Sequence, residues 1–89
     1  MKITVTFYFG LADLFGGQSP MRVEPGMTLR QLLRTLCTSD ERRNVLYDDR
    51  LGESHPLVMI LRNGQSVSRL DTVLEDGDWI DIFPVLGGG

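Results

Sequence analysis

Hydrophobic and polar residues alternate strictly over the first stretch of the chain, residues 2–9. Ile3, Val5, Phe7 and Phe9 fall on one face, and the residues between them fall on the other. Alternation with a period of two, carried by β-branched and aromatic residues, is typical of a half-buried strand. We therefore predict that the chain opens with a strand whose inner face carries these four side chains.

A helical spacing follows the turn signal Pro25-Gly26. Thr28 is a favourable N-cap, and five apolar residues after it recur at intervals of three and four, as on one helical face. These residues are Leu29, Leu32, Leu33, Leu36 and Cys37. The pattern predicts an amphipathic helix of about 10 residues, with its apolar stripe against a core.

The second half of the chain contains patterns for further strands. The apolar run Leu57–Leu61 predicts a buried strand, and Asn63-Gly64 is a strong two-residue hairpin signal before a brief strand at 65–67. Trp79–Val85 predicts the last strand, with Ile80 and Ile82 facing inward. Weaker patterns predict a glycine-bounded connection at 10–17, a short strand at 18–24, a short helix capped by Ser39, and a helical turn containing Leu70, Val73 and Leu74.

This order of elements predicts an α+β fold: a mixed sheet of four to five strands packed on one long helix. The first and last strands have the most apolar inner faces, so pairing them at the sheet centre would bury both best. With 89 residues the chain has room for one domain. We assign residues 1–86 to that domain and residues 87–89 to a flexible glycine tail.

Composition and charge exclude several classes of partner. The net charge is −3, and no basic stripe with interleaved aromatic residues is present, so nucleic acid is not expected as a partner. The longest apolar run is far too short to span a bilayer, and no basic-then-apolar leader opens the chain, so we expect a cytoplasmic location without membrane association. A basic protein surface is the better electrostatic match.

The chain is poor in residues for catalysis or metal binding. Cys37 is its only cysteine and His55 its only histidine, so a disulfide framework, a zinc site or an iron–sulfur cluster cannot be built. Cys37 lies on the apolar stripe of the helix, where packing is favoured over a reactive thiol. His55 is expected in an exposed loop. The acidic residues near 48–49 and 75–78 fit turns better than a metal cage.

The glycines at the end of the sequence, Gly87–Gly89, are its most unusual feature. A frayed end is one interpretation. The other is functional, because glycine has no Cβ and can thread a narrow channel toward a nucleotide. Residues 84–89 could extend roughly 15–20 Å. The terminal carboxylate, with a typical pKa near 3.5, is unreactive until another enzyme activates it.

Several segments together resemble the MoaD/ThiS sulfur carriers, which have a ubiquitin-like β-grasp fold. Asp76-Gly77-Asp78 stands before the last strand, and Phe83-Pro84 leads to Gly88-Gly89. Residues 9–17 and 25–29 are similar to the first loop and the helix entry of that family. The likeness is closest to the small subunit of molybdopterin synthase, although Pro84-Val85-Leu86 departs from the Pro-Pro-Val of that pattern.

The resemblance implies a carrier rather than an enzyme, with no permanently bound cofactor. A ubiquitin-activating-like adenylyltransferase (MoeB/ThiF-like) would use ATP to adenylate Gly89, with Gly88 allowing close approach. The terminus would then become a thiocarboxylate that donates sulfur for molybdopterin, within a complex with a larger MoaE-like subunit. Other acceptors stay open: a sulfur carrier for thiamin, cysteine or tRNA thiolation, or a protein modifier or binding module.

Three residues are candidates for a partner interface on the outer face of the sheet: Phe83, Trp79 and Met59. Leu86 and Gly87, which lead into the terminus, complete the set of interface candidates. The alternative is that the three large side chains close the edge of the core, because single exposed apolar residues are common on protein surfaces.

Overall fold

The computed structural model describes residues 1–85, which contain three helices and seven strands. The strands are β1 (Lys2–Phe7), β2 (Gln18–Arg22), β3 (Tyr47–Asp48), β4 (Glu53–Ser54), β5 (Val58–Arg62), β6 (Gln65–Ser66) and β7 (Trp79–Pro84). The helices are α1 (Gly10–Phe15), α2 (Leu29–Leu36) and α3 (Asp40–Val45). None of these helices is long and apolar enough to cross a membrane.

Five strands form one mixed sheet in the order β2-β1-β7-β5-β6, and β3 and β4 form a separate two-stranded ribbon. β1 and β7 run parallel, and the other pairs of the large sheet are antiparallel. The first and last strands of this sheet therefore lie side by side in its interior, as the sequence predicts. This pairing fixes where the chain leaves the sheet.

The core lies on one face of the sheet, beneath α2. Alternate residues of β1 and β7 point into it, and Ile3, Val5, Ile80 and Ile82 are buried almost completely. The residues of α2 that join them are Leu29, Leu32 and Leu33. Burying a side chain of this size stabilises the fold by about 1.5–3 kcal/mol.

A reciprocal pair of hydrogen bonds starts α2 where the sequence predicts it. The Thr28 hydroxyl accepts from the Gln31 amide at 3.2 Å, and the Gln31 side chain accepts from the Thr28 amide at 2.9 Å. The helix is eight residues long rather than about ten. Two six-residue helices accompany it, and Ser39 caps the start of α3 by accepting from the Arg42 amide.

The prediction that Phe9 continues the inner face of the first strand is wrong. β1 ends at Phe7, and Phe9 has a φ of 57° and is 64% exposed. The chain turns at this point because α1 begins at Gly10, within the segment expected to be an irregular connection. Strict alternation cannot reveal that the strand ends at Phe7, two residues before the pattern does.

The helical turn predicted around Leu70, Val73 and Leu74 is also wrong. This segment runs beside the start of α2, where Val73 forms an isolated bridge with Thr28. Leu70 and Leu74 are buried, whereas Val73 is exposed. A hydrogen bond from the Thr72 amide to the Arg69 carbonyl, at 3.3 Å, makes a single turn at Leu70, but no helix follows it, and the segment buries two of the three residues.

Candidate functional site

The end of β7 positions everything that follows it in the chain. The strand ends at Pro84, and the Val85 amide donates to the Leu57 carbonyl at 2.7 Å. This hydrogen bond ties Val85 to the residue before β5, so the chain is held to the sheet as far as Val85. Leu86, Gly87, Gly88 and Gly89 lie outside the described residues, and their assigned roles stay predictions.

Three of the interface candidates share the sheet face opposite the core, and two of them, Phe83 and Met59, lie near this exit. Trp79 and Phe83 alternate with the buried residues of β7, and Met59 of β5 is the direct neighbour of Phe83. Met59 and Trp79 are each 43% exposed. Tyr8 stacks on Phe83 with ring centroids 4.2 Å apart. We call Tyr8, Met59, Trp79 and Phe83 the outer patch.

An acidic side chain at the middle of the outer patch orients two of its rings. Asp81 Oδ1 accepts from the Tyr8 hydroxyl at 2.9 Å and from Trp79 Nε1 at 3.0 Å. The hydrogen bond to Asp81, together with burial and the charge of this carboxylate, raises the pKa of Tyr8 above its ordinary value. Rings held in this way lose less side-chain entropy when a partner covers them.

Sequence reasoning did not single out Tyr8 or Asp81 as site residues. The signal was present, because alternation already puts Asp81 on the face of Trp79 and Phe83. That Tyr8 reaches the same face from the next strand follows only from the β1–β7 register, in which Thr4 lies opposite Trp79.

The segment Asp76-Gly77-Asp78 joins the start of β7 to the start of β1. The Asp76 side chain accepts from the Lys2 amide at 2.7 Å, and the Gly77 amide donates to the Lys2 carbonyl at 2.7 Å. Gly77 has a φ of 86°, which side chains with a Cβ rarely adopt. This segment, which carries part of the family resemblance, is thus explained by the fold.

Asp78 is a buried carboxylate, 4% exposed, that holds three structural elements together. It accepts from Arg62 Nε at 2.8 Å, from Asn63 Nδ2 at 2.9 Å and from the Glu75 amide at 2.8 Å. Burial raises the pKa of Asp78, but the hydrogen bonds from Glu75, Asn63 and Arg62 lower it by more, so it lies below its ordinary value. Two of the acidic residues expected in turns and solvated loops are therefore buried: Asp78 and Asp48, which is 7% exposed.

Neither Cys37 nor His55 is arranged as a catalytic group. Cys37 is 7% exposed within the core, and burial raises the pKa of its thiol. His55 is half-buried rather than exposed, and its Nδ1 accepts from the Leu57 amide at 3.1 Å. Within residues 1–85, no three His, Cys, Asp or Glu side chains are grouped to hold a metal ion.

An apolar pocket of about 510 Å³ lies beside the end of β7, between α1 and α3. Its apolar lining comes from both helices and from β5, and Pro84 closes it on the side of the chain exit. The lining residues include Leu11, Leu14, Val45, Leu57, Val58 and Pro84. Apolar surface is thus available on two sides of the exit point.

The mixed sheet packed on α2, with its first and last strands parallel and adjacent, is that of a ubiquitin-like β-grasp protein. Comparison with protein-family models agrees, because residues 5–89 match the model of the ThiS family. The chain belongs to the ThiS family.

Similar proteins include both modifiers and molybdopterin proteins. The chain is 34% identical, over the full length of both proteins, to small archaeal modifier protein 3 of Haloferax volcanii. It is 26% identical to a putative molybdopterin converting factor subunit 1 from Pyrococcus furiosus, with a TM-score of 0.72 and coverage of 94% of this chain and 97% of that one. A solved structure from Helicobacter pylori contains subunits 1 and 2 of the molybdopterin-converting factor as a complex. The matched chain of that complex shares the fold of this protein, with 24% identity, a TM-score of 0.62 and full coverage of this chain and of that one.

These findings confirm the expected β-grasp fold and the resemblance to MoaD/ThiS-like proteins. The relatives are small modifier and carrier proteins, so the expectation of a carrier rather than an enzyme is also confirmed.

Proposed function

We propose that this protein is a sulfur carrier whose Gly89 carboxyl group is adenylated, converted to a thiocarboxylate and used as a sulfur donor for molybdopterin synthesis. Membership of the ThiS family carries the proposal. The position where β7 ends supports it, because Pro84, three residues before Gly87, follows Phe83 of the outer patch.

The chemistry requires activation from outside the chain. The carboxylate of a terminal glycine has a pKa near 3.5 and is ionised at neutral pH, so it resists attack by a sulfur nucleophile. An enzyme that uses ATP would join the carboxylate to AMP as a mixed anhydride and release pyrophosphate. Attack by sulfide on the glycine carbonyl would then break the bond to AMP, release AMP and leave the thiocarboxylate. The protein itself would hold no cofactor.

The outer patch is the proposed docking surface for both kinds of partner. Its aromatic rings and Met59 are of the types enriched at interfaces, and Asp81 already orients two of the rings. A ubiquitin-activating-like adenylyltransferase would bind this face first, and the sulfur acceptor would bind it afterwards. The net charge of −3 favours basic surfaces on both partners.

The acceptor in this proposal is a MoaE-like large subunit, which would receive the glycine segment while the patch is covered. The complex of subunits 1 and 2 in Helicobacter pylori supports this arrangement as an analogy between proteins of one fold. A cytoplasmic location, where ATP and the acceptor would be available, belongs to the same proposal.

The test is the intact mass of the full chain after incubation with an adenylyltransferase of this class, ATP and sulfide. We expect a gain equal to the exchange of one oxygen for sulfur, and no gain in a variant lacking Gly88 and Gly89. Phe83→Asp should slow the conversion at least tenfold by disrupting the patch, whereas Val73→Asp, an exposed apolar residue beside the start of α2, is the matched control. An unchanged mass with the full chain would contradict the proposal.

Protein modification is a second candidate, favoured by the 34% identity to small archaeal modifier protein 3 over the full length of both chains. A modifier would form amide bonds between Gly89 and lysines of other proteins. Peptide mapping of conjugates from cells separates the two functions, because a pure sulfur carrier leaves no glycine remnant on target lysines. A purified large subunit that makes molybdopterin with the thiocarboxylate form would instead favour the first candidate.

A further inference from the structure

Primary amines are almost absent from this chain. Nine residues are Lys or Arg, and Lys2 is the only lysine. Arginine is not a nucleophile at neutral pH, because its guanidinium stays protonated. The two amines able to form an amide bond with an activated carboxyl group are therefore the side chain of Lys2 and the amino group of Met1, which are adjacent.

Both amines lie at the end of the sheet opposite the chain exit. β1 and β7 run parallel, and Thr4 lies opposite Trp79. Lys2 stands two residues before Thr4, and Val85 stands six residues after Trp79. Lys2 and Val85 are thus eight residue steps apart along the strand direction, or roughly 26 Å. The hydrogen bonds that Asp76 and Gly77 make to the Lys2 backbone hold it at that end.

The segment after Val85 is too short to span this separation. Residues 86–89 reach at most about 14 Å when fully extended, and a lysine side chain adds roughly 6 Å. Together they fall short of the separation between Val85 and Lys2, even along a straight path. The amino group of Met1 donates to the Val23 carbonyl at 3.0 Å, which holds it at the same end.

We infer that this arrangement prevents an activated Gly89 from acylating its own chain, and that self-conjugation occurs between copies, at Lys2 of the second copy, because the Met1 amine is partly buried and donates to the Val23 carbonyl. The inference rests on the proposed function in one respect, namely that Gly89 becomes an acyl donor. In the transfer, the amine of Lys2 attacks the Gly89 carbonyl of the other copy. A C–N bond forms, the bond to the leaving AMP or thiol breaks, and the ammonium proton passes to water.

The thiol of the chain does not compete for the acyl group. Cys37 is buried in the core and its pKa is raised, so little thiolate is available to attack an ester or anhydride. Because both amines lie far from the chain exit, neither an amine nor the thiol of the same molecule attacks the acyl group of Gly89. Exposed lysine near the exit would remove this protection.

The experiment installs a thioester on Gly89 by thiol cleavage of an intein fusion of the full chain, so that no activating enzyme is needed. In the wild type at about 10 µM, we expect hydrolysis and no intramolecular amide. Leu57→Lys places an exposed amine beside Val85 and should cyclise on the order of 100-fold faster than any transfer between molecules, because tethered groups have millimolar effective concentrations. The cyclic product is recognised by a mass one water below the hydrolysed acid and by a rate independent of protein concentration.

Arg22→Lys is the matched control, because it adds an amine next to Lys2 on the neighbouring strand without changing the charge. It should behave as the wild type does. Glu41→Lys, on the pocket beside Pro84, replaces Leu57→Lys if circular dichroism shows that variant to be unfolded. Cyclisation of the wild type or of Arg22→Lys at the rate of the exit variant would overturn the inference.

A concentrated sample tests the acceptor in the second copy. Amide-linked dimers should form in proportion to the square of the protein concentration, map to Lys2 and fall at least tenfold in Lys2→Arg. An unchanged dimer yield in Lys2→Arg would refute the assignment of the acceptor. Because the thioester is made chemically, failure of enzymatic sulfur transfer leaves these results interpretable, and the reverse also holds.

Discussion

Replacing Asp78 with alanine should destabilise the domain strongly, although this residue lies in a segment that resembles an ordinary turn. The change removes the acceptor of three hydrogen bonds from Arg62, Asn63 and the Glu75 amide. The guanidinium of Arg62 then loses its close partner in a site where its side chain is only 24% exposed. The donors left behind cannot be fully rehydrated.

The expected loss follows from these contacts. Breaking a buried ion pair by removing one partner costs about 3–5 kcal/mol. Since the remaining exposure of Arg62 lets water reach part of its guanidinium, we expect a loss of about 3 kcal/mol. A domain of this size is stable by roughly 5–10 kcal/mol, so the variant should fold but melt about 15 °C lower.

Urea denaturation followed by far-UV circular dichroism measures this loss. Asp71→Ala is the matched control, because Asp71 pairs with Arg69 in an exposed ion pair that water and salt screen, so its loss should change the free energy of unfolding far less. A loss below about 1 kcal/mol for Asp78→Ala would refute the view that the buried carboxylate stabilises the turn.

The pH dependence of stability gives an independent check on the same residue. The pKa of Asp78 lies below its ordinary value of 3.8, so its contribution is present above about pH 4 and is lost as pH falls through the lowered pKa. Asp78→Ala should therefore lose less stability than the wild type over this acid range. Parallel acid curves for the two proteins would contradict this sign.

Two further changes test local contacts. Thr28→Ala removes the cap of α2 and should lower the free energy of unfolding by about 1 kcal/mol in urea titrations, while Thr28→Ser should restore most of it; equal stability of all three proteins would contradict the cap. Asp81→Ala removes the carboxylate that raises the pKa of Tyr8, so this pKa should fall toward the ordinary value of 10.0. An ultraviolet titration of the phenol measures the change, and an unchanged pKa would exclude the hydrogen bond as the cause of the raised value.

The main elements of the fold are predictable because their patterns have one dominant cause. Leu29, Leu32 and Leu33 recur at helical spacing beneath a strong cap, and the structure buries all three. Asn63 and Gly64 adopt the positive φ values, 51° and 85°, that a tight hairpin requires. Local chemistry is sufficient at both places.

The wrong predictions arise where tertiary contacts decide. Leu70, Val73 and Leu74 have helical spacing, yet backbone hydrogen bonds fix their segment against the start of α2, such as that from the Leu29 amide to the Thr72 carbonyl. Phe9 follows an alternating pattern, yet the chain turns into α1. No residue near either position signals these contacts.

The candidate site divides in the same way. Trp79, Phe83 and Met59 are identifiable as large apolar side chains at outward positions of strands. The contribution of Tyr8 is not, because it depends on the register between β1 and β7 and on a carboxylate 73 positions away along the chain. Spacing within one strand carries no information about which side chain of the neighbouring strand stands opposite.

Because β7 lies beside β1 within the sheet, the five-stranded sheet cannot form until the last strand of the domain is present. Until residues 79–84 are available, the strand pairs β1–β2 and β5–β6 have no strand to join them, since β7 is the one strand within residues 1–85 that pairs with both β1 and β5. Contacts between segments so distant in sequence form slowly, and a chain cut short before β7 would stay open to proteases.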